Sequence, residues 1–363
     1  MEFINATRMV AGYTMGTEPS GRENLVVVIK GTFGIPAAGQ EVRLSDEQMP
    51  LVMADTFTGA PGFSSPVTEA EFALRKASCD VLLLGSAYAP GSRPASSVPV
   101  GLRIGALVKK FAVIGARQWE TGATGIGATP PQPFVVQPIS YDVAFGGVDH
   151  EHEDPMKHAA FMPNPVGRGF RKHLRAEWVD GKPLPHTQEL ERPVTRPDEA
   201  YRPMSFGPIG RNWEPRYRYA GTYDEHWLDQ HFPFLPPDFD EHYFQSAPLD
   251  QQVAAIASPV EVHLFNLTPD GQCAFTLPYF EAPIHVFPKK GGREDHKAAL
   301  DTIVFEPDSA RFTMTWRLAR PLSKNMYEIA QVLVGRKGSA WWQQREAVAF
   351  PVPVVVQLTA SRG

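Results

Sequence analysis

The chain has 363 residues, a formal net charge of −5 and a sequence pI near 6.1, with 43% hydrophobic and 21% charged residues. These values fit a globular protein and exclude a disordered one. They also offer no basic face for nucleic acid, and no apolar run is long enough to cross a membrane. The start of the chain, Met1 to Arg8, has neither a basic leader nor an apolar stretch, so a cytoplasmic location is expected. Two cysteines, Cys79 and Cys273, make neither a disulfide framework nor a zinc site. Proline is the informative number: 35 of the residues are Pro, about twice the usual share of roughly 5%. Proline breaks helices and is kept out of central strands, so the expected fold is mainly β, a sandwich or barrel-like set of sheets with long ordered Pro/Gly-rich loops and few short helices.

In chain order, Leu25–Lys30 and Cys79–Leu84 are short β-branched runs closed by glycine and are expected as strands. Val98, Val100, Leu102 and Ile104 alternate as one buried sheet face requires, and 107–114 continues the pattern with Lys109 and Lys110 as an exposed step. Residues 1–140 form an N-terminal β-rich domain on this reading. The segment 141–259 differs: it holds 15 of the 35 prolines and 19 acidic against 12 basic residues, and is expected to pack on the core as irregular structure. One short helix is expected there, capped by Asp224 and stopped by Pro233. Residues 260–363 return to strands. Val260–Leu264 alternates cleanly, Arg311–Leu318 is the clearest half-buried strand, and Met326–Val334 fits a helix face or a strand equally well. Val348–Leu358 is a final strand-like stretch.

Three clusters invite chemistry. The glycines of 121–127 are followed by Pro130, Pro131 and Pro133, which forbid the helix a dinucleotide loop needs, so a turn is expected. His150, His152 and His158, with Glu151, Glu153 and Asp154, have the donors for zinc or manganese, but a polar run without apolar shielding is expected to be solvated loop. Asp238, Asp240, Glu241 and His242 could do acid–base work if one carboxyl were buried; turn capping is the simpler expectation. No nucleophile elbow, His-Glu-x-x-His, Gly-Lys-Ser/Thr or Cys-x-x-Cys motif occurs, so no enzyme activity, cofactor or metal is expected. The central aromatic and arginine set is different in kind. Tyr201, Arg202, Phe206, Arg211, Trp213, Arg216, Tyr217 and Trp227 are the residue types that dominate protein interfaces, and they are the candidate partner-binding residues; their alternative role is to fill the fold's own core.

Ala11–Gly16, Val28–Phe33, Gly85–Pro90, Ser140–Gly147, Asn164–Gly169, Arg202–Pro208 and Phe232–Pro236 are long Gly/Pro/aromatic motifs, and the chain resembles in them the domain-of-unknown-function family numbered 2169, from its first residues to about Arg345. The resemblance implies an adaptor or chaperone of type VI secretion. Such a protein holds a secreted effector, often linked to a PAAR tip domain, and helps load it onto the VgrG-type spike protein. It transfers no residue roles, so the aromatic and arginine set rests on composition alone. A metal-dependent or carboxylate-based hydrolase and a carbohydrate-binding β-sandwich are the alternatives, the latter because Trp and Tyr faces also stack on sugars.

Overall fold

The computed structural model describes residues 1–256 and 259–349. From the N-terminus, β1 (Glu2–Asn5), β2 (Val10–Thr17), β3 (Glu23–Gly34) and β4 (Cys79–Leu83) enter a larger sheet, and β5 (Ser97–Ile104) and β6 (Leu107–Ile114) a smaller one. After the irregular centre, β7 (Glu261–Phe265) and β8 (Gln272–Thr276) return to the smaller sheet. The larger sheet is completed by β9 (Ala282–Pro288), β10 (Glu294–Glu306), β11 (Arg311–Pro321) and β12 (Ile329–Val334). The fold is mainly β, as the proline content and the β-branched runs require.

The larger sheet runs β1-β12-β9-β10-β11-β3-β2, so its two edge strands are consecutive in the chain and joined by residues 6–9 alone. A short link between opposite edges forces the sheet to curl, and the rings of Phe3 and Tyr13 meet across the seam at 5.2 Å. The result is a nearly closed, barrel-like sheet. β10 is long enough to serve two neighbours on one side. Its first half pairs with β9 antiparallel and its second half with β4 parallel, with an irregularity in the β10–β11 register between Leu300 and Thr302. The smaller sheet orders Thr187–Gln188, β6, β5, β7 and β8. The two sheets share one apolar core, in which Val27 and Ile29 of β3, Val100 and Leu102 of β5, Phe111 of β6 and Phe305 of β10 are fully or almost fully buried together with Phe206 of the central segment. Burying each such side chain stabilises by about 1.5–3 kcal/mol.

Two expectations are corrected here, and one left open is decided. The strand at Arg311–Leu318 is not half-buried, because Thr313, Thr315 and Arg317 on its polar face are covered as well as Phe312, Met314 and Trp316. The loop before β4 crosses that face. Leu51, Phe72 and Leu74 pack on Val26 and Val28, while Glu71 takes Lys30 and the hydroxyl of Thr315. Arg317 is satisfied by Asp301 and by the carbonyls of Glu71 and Ala73. The second correction is Lys109. In β6 the inward positions are 107, 109 and 111, so Lys109 is buried, while Val108 and, as expected, Lys110 are exposed. Strand alternation dictates this, and Asp250 and Gln251 reach in to pair the ammonium. The Met326–Val334 region, open between helix and strand, is one 3₁₀ turn and the strand β12. From Val348–Leu358, residues 350–358 lie outside the described residues, while 348 and 349 end the helix Ser339–Ala349. The glycines at 121–127 turn a hairpin of Trp119–Gly122 against Gly125–Ala128.

Candidate partner-binding surface

The central segment is built from the inside outward. Its first layer is a set of buried bolts that includes four of the eight candidate residues. Phe206 packs tilted against Phe111 of β6 at 4.6 Å, and Tyr201 meets Phe145 edge-on at 5.0 Å. Trp213 is 1% exposed and stands T-shaped on Tyr141, so close to Gly210 that a Cβ there would lie 2.5 Å from the indole nitrogen. Arg216, also 1% exposed, donates to the carbonyls of Tyr243 at 2.9 Å and Ile209 at 2.7 Å and forms a two-pronged ion pair with Glu69. Glu69 comes from the same loop that covers the outer face of β3 and β11, so Arg216 ties the central segment to that loop. Arg211 beside it is half-buried and binds Asp55 at 2.8 Å; burial opposes its charge, but Asp55 and Glu69 raise its pKa overall. Tyr201, Phe206, Trp213 and Arg216 therefore hold the fold together and present no surface for a partner.

The glycine motifs in this segment are structural too. Gly146 has φ 148°, and a Cβ there would lie 2.1 Å from the carbonyl oxygen of Asn164. The Asn164 amide in turn donates to the carbonyls of Tyr141 and Phe145. The Ser140–Gly147 and Asn164–Gly169 motifs thus clamp one another by backbone contact that only glycine permits.

The exposed layer lies beyond these bolts. Asp224 caps the helix Glu225–Gln230 by accepting from the Trp227 amide at 2.8 Å, as its position before the helix and Pro233 after it predict. None of the helix residues is buried. Trp227 is half-buried by its neighbours: its indole donates to the Phe234 carbonyl at 2.9 Å, and its ring meets Tyr223 at 4.8 Å and Phe232 at 5.7 Å, both edge to face. Phe234 lies over Gly21 in the β2–β3 turn. Tyr223, Leu228, Phe232 and Phe234 are 53%, 57%, 63% and 44% exposed, and Tyr217 adds another exposed ring. Leu228, Phe232 and Phe234 were not singled out by composition. Their signal in the sequence is a helix too short and too polar in its first turn to bury an apolar face, followed by Phe-Pro-Phe. The edge-to-face rings offer no coplanar platform for a sugar.

Asp238 and Asp240 are turn caps. Asp238 accepts from the amide and hydroxyl of Thr222, and Asp240 from the amide and ring of His242 at 2.8 and 2.6 Å. These bonds lower both carboxyl pKa values, so both acids stay ionised. Glu241 pairs with Arg75. At the other cluster, His150 and His158 touch through their Nδ1 atoms at 3.4 Å, and the His152 ring lies tilted against His173 at 4.9 Å. Among the described residues no group of three or more His, Cys, Asp or Glu side chains is arranged to hold a metal ion. Two cavities border the central segment. One of about 350 Å³ lies under the loop before β4, where Lys30 and Glu71, and Lys76 with nearby Asp80, are already paired. The other, about 490 Å³, opens beside the central segment. There Asp250 bridges Lys109 and Arg202, and burial pulls the Lys109 pKa down to about 8. Arg202 keeps an exposed side chain at its rim.

No curated protein and no solved structure matches the chain. A family model described as an uncharacterised protein conserved in bacteria, DUF2169, matches residues 20–317. That span takes in six of the seven motifs and leaves Ala11–Gly16 outside it. The chain belongs to this bacterial family of domain-of-unknown-function 2169 proteins.

Proposed function

We propose that the chain is a non-enzymatic adaptor that binds a type VI secretion effector, PAAR-linked, in the cytoplasm of the producing cell and helps load it onto the VgrG-type spike. The observation that carries the reading is the lobe at 217–234. It leaves Tyr223, Leu228, Phe232 and Phe234 in water on and around a helix with no buried residue, although the bolts Trp213 and Arg216 are fully packed. A soluble fold gains nothing internally from such an arrangement, whereas a protein interface needs aromatic and aliphatic anchors of this kind. Family membership supports it through what the resemblance implies. The acids at 238–241 are engaged in caps and an ion pair, and the charges lining the two cavities that border the central segment are largely paired with one another. Among the described residues no helix is long and apolar enough to cross a membrane.

The test is pairwise co-purification of the full chain with the products of neighbouring spike, PAAR and toxin genes. A stable complex with a PAAR-bearing effector, lost when that effector's N-terminal region is removed, is the expected result. A folded protein that retains none of these partners refutes the adaptor reading.

A further inference from the structure

The apolar lobe has a charge as well as a shape. Between Arg218 and Lys289 the sequence contains no lysine or arginine, while Asp224, Glu225, Asp229, Asp238, Asp240 and Glu241 fall within the lobe and its base. The first five of these acids are exposed. Asp224 and Asp240 spend one oxygen on a cap, and Asp238 is fixed by Thr222, bonds that leave each carboxylate charged. Asp238 is bonded by the amide and hydroxyl of Thr222, the residue next to Tyr223, which brings this acid to the Tyr223 end of the lobe. Two of the cations nearby are already engaged: Arg75 by Glu18 and Glu241, and Arg218 by Glu214. Arg22 stands in the turn beside Phe234. An exposed apolar stripe set in negative charge repels acidic partners and draws in a segment that carries both apolar anchors and cations.

We propose that the lobe around Tyr223, Leu228, Phe232 and Phe234 docks a basic, amphipathic peptide segment of its partner protein, with large apolar side chains against the rings and Lys or Arg against Asp224, Glu225, Asp229 and Asp238. The proposal rests on the adaptor reading for the partner's identity but not for its chemistry. It is the N-terminal region of the effector that would carry this segment.

The experiment is selection of a random peptide display library on the full-length chain, beside the Leu228→Ser/Phe232→Ser double variant. Both altered side chains are exposed, so the fold survives, which circular dichroism and the unfolding midpoint verify. The expected outcome is enrichment of peptides of net positive charge with at least two large apolar residues. Enriched peptides, resynthesised, bind the double variant and a Glu225→Lys/Asp229→Lys variant at least tenfold more weakly, and lose affinity as salt rises from 50 to 500 mM. Neutral or acidic enriched peptides, binding unchanged in both variants, or no enrichment at all overturns the proposal. So does a dimer in sedimentation velocity that the double variant dissociates, since the face would then belong to a second copy. Failure of the two readings is separable. A complex with a neighbouring gene's product that ignores the lobe variants sinks this inference alone. A lobe that selects basic peptides while no neighbour co-purifies sinks the adaptor reading alone.

Discussion

Arg216 gives the sharpest test of the division between buried bolts and exposed lobe. The perturbation is Arg216→Met, which keeps the aliphatic stem and removes the guanidinium. The structure sets the magnitude. The group makes a two-pronged ion pair with Glu69 and donates to two carbonyls, those of Tyr243 and Ile209, at 1% exposure. Removing one partner of a buried ion pair costs about 3–5 kcal/mol, because the remaining charge and acceptors are left in a poorly solvated place. Arg211 lies 3.4 Å from Glu69 and absorbs part of this, so the loss belongs near the lower end, about 3 kcal/mol. The assay is urea unfolding followed by tryptophan fluorescence, with Arg202→Met as control. Arg202 is 60% exposed in its ion pairs with Asp250 and Glu189 and should cost less than about 1 kcal/mol. A double-mutant cycle with Glu69→Gln should return most of the loss as coupling between the two. If Arg216→Met unfolds within about 1 kcal/mol of wild type while partner co-purification is lost, the residue works at an interface and the structural assignment is wrong.

Three further outcomes are expected. Gly146→Ala places a methyl 2.1 Å from the Asn164 carbonyl at φ 148°, so it should cost at least about 3 kcal/mol or prevent soluble expression, read by the same unfolding assay. Burial, followed by Arg168 and Arg117, depresses the His186 pKa from 6.5 to about 4. The native state then binds fewer protons than the unfolded chain between those values, so stability falls as pH drops through that window and levels off below about 4. After allowance for solvent screening the loss is about 1–2 kcal/mol, and His186→Gln should show correspondingly less acid sensitivity in unfolding midpoints from pH 7 to 4. Both cysteines are free, and burial, with Asp301 and Asp80, raises the Cys79 thiol pKa far more than that of half-buried Cys273. A thiol reagent at pH 8 should therefore label Cys273 first and Cys79 only at the rate of unfolding; equal rates would contradict the packing of β4.

Local chemistry determined what the sequence could tell. The runs at Leu25–Lys30, Cys79–Leu83, Val98–Ile104 and Arg311–Leu318 are strands because β-branched and alternating residues suit a pleated, buried surface whatever lies opposite. The helix at Glu225–Gln230 was legible because its cap and its stop lie within a few residues of one another. Burial was not legible where the covering element comes from far away in the chain. Lys109 reads as an exposed step until Asp250 and Gln251 reach it, and Thr313, Thr315 and Arg317 read as a solvent face until the loop carrying Glu71 crosses them. The same limit divides the aromatic and arginine set. Trp213 and Arg216 have the composition of an interface hot spot, but Glu69, distant by 147 positions from Arg216, draws the arginine inside. Leu228 and Phe232, ordinary in composition, are left outside because no element of the chain returns to cover them among the described residues. Residue type and spacing decide secondary structure, since those interactions are local; which side of an element meets water depends on partners brought in by the tertiary fold, and only the structure decided that.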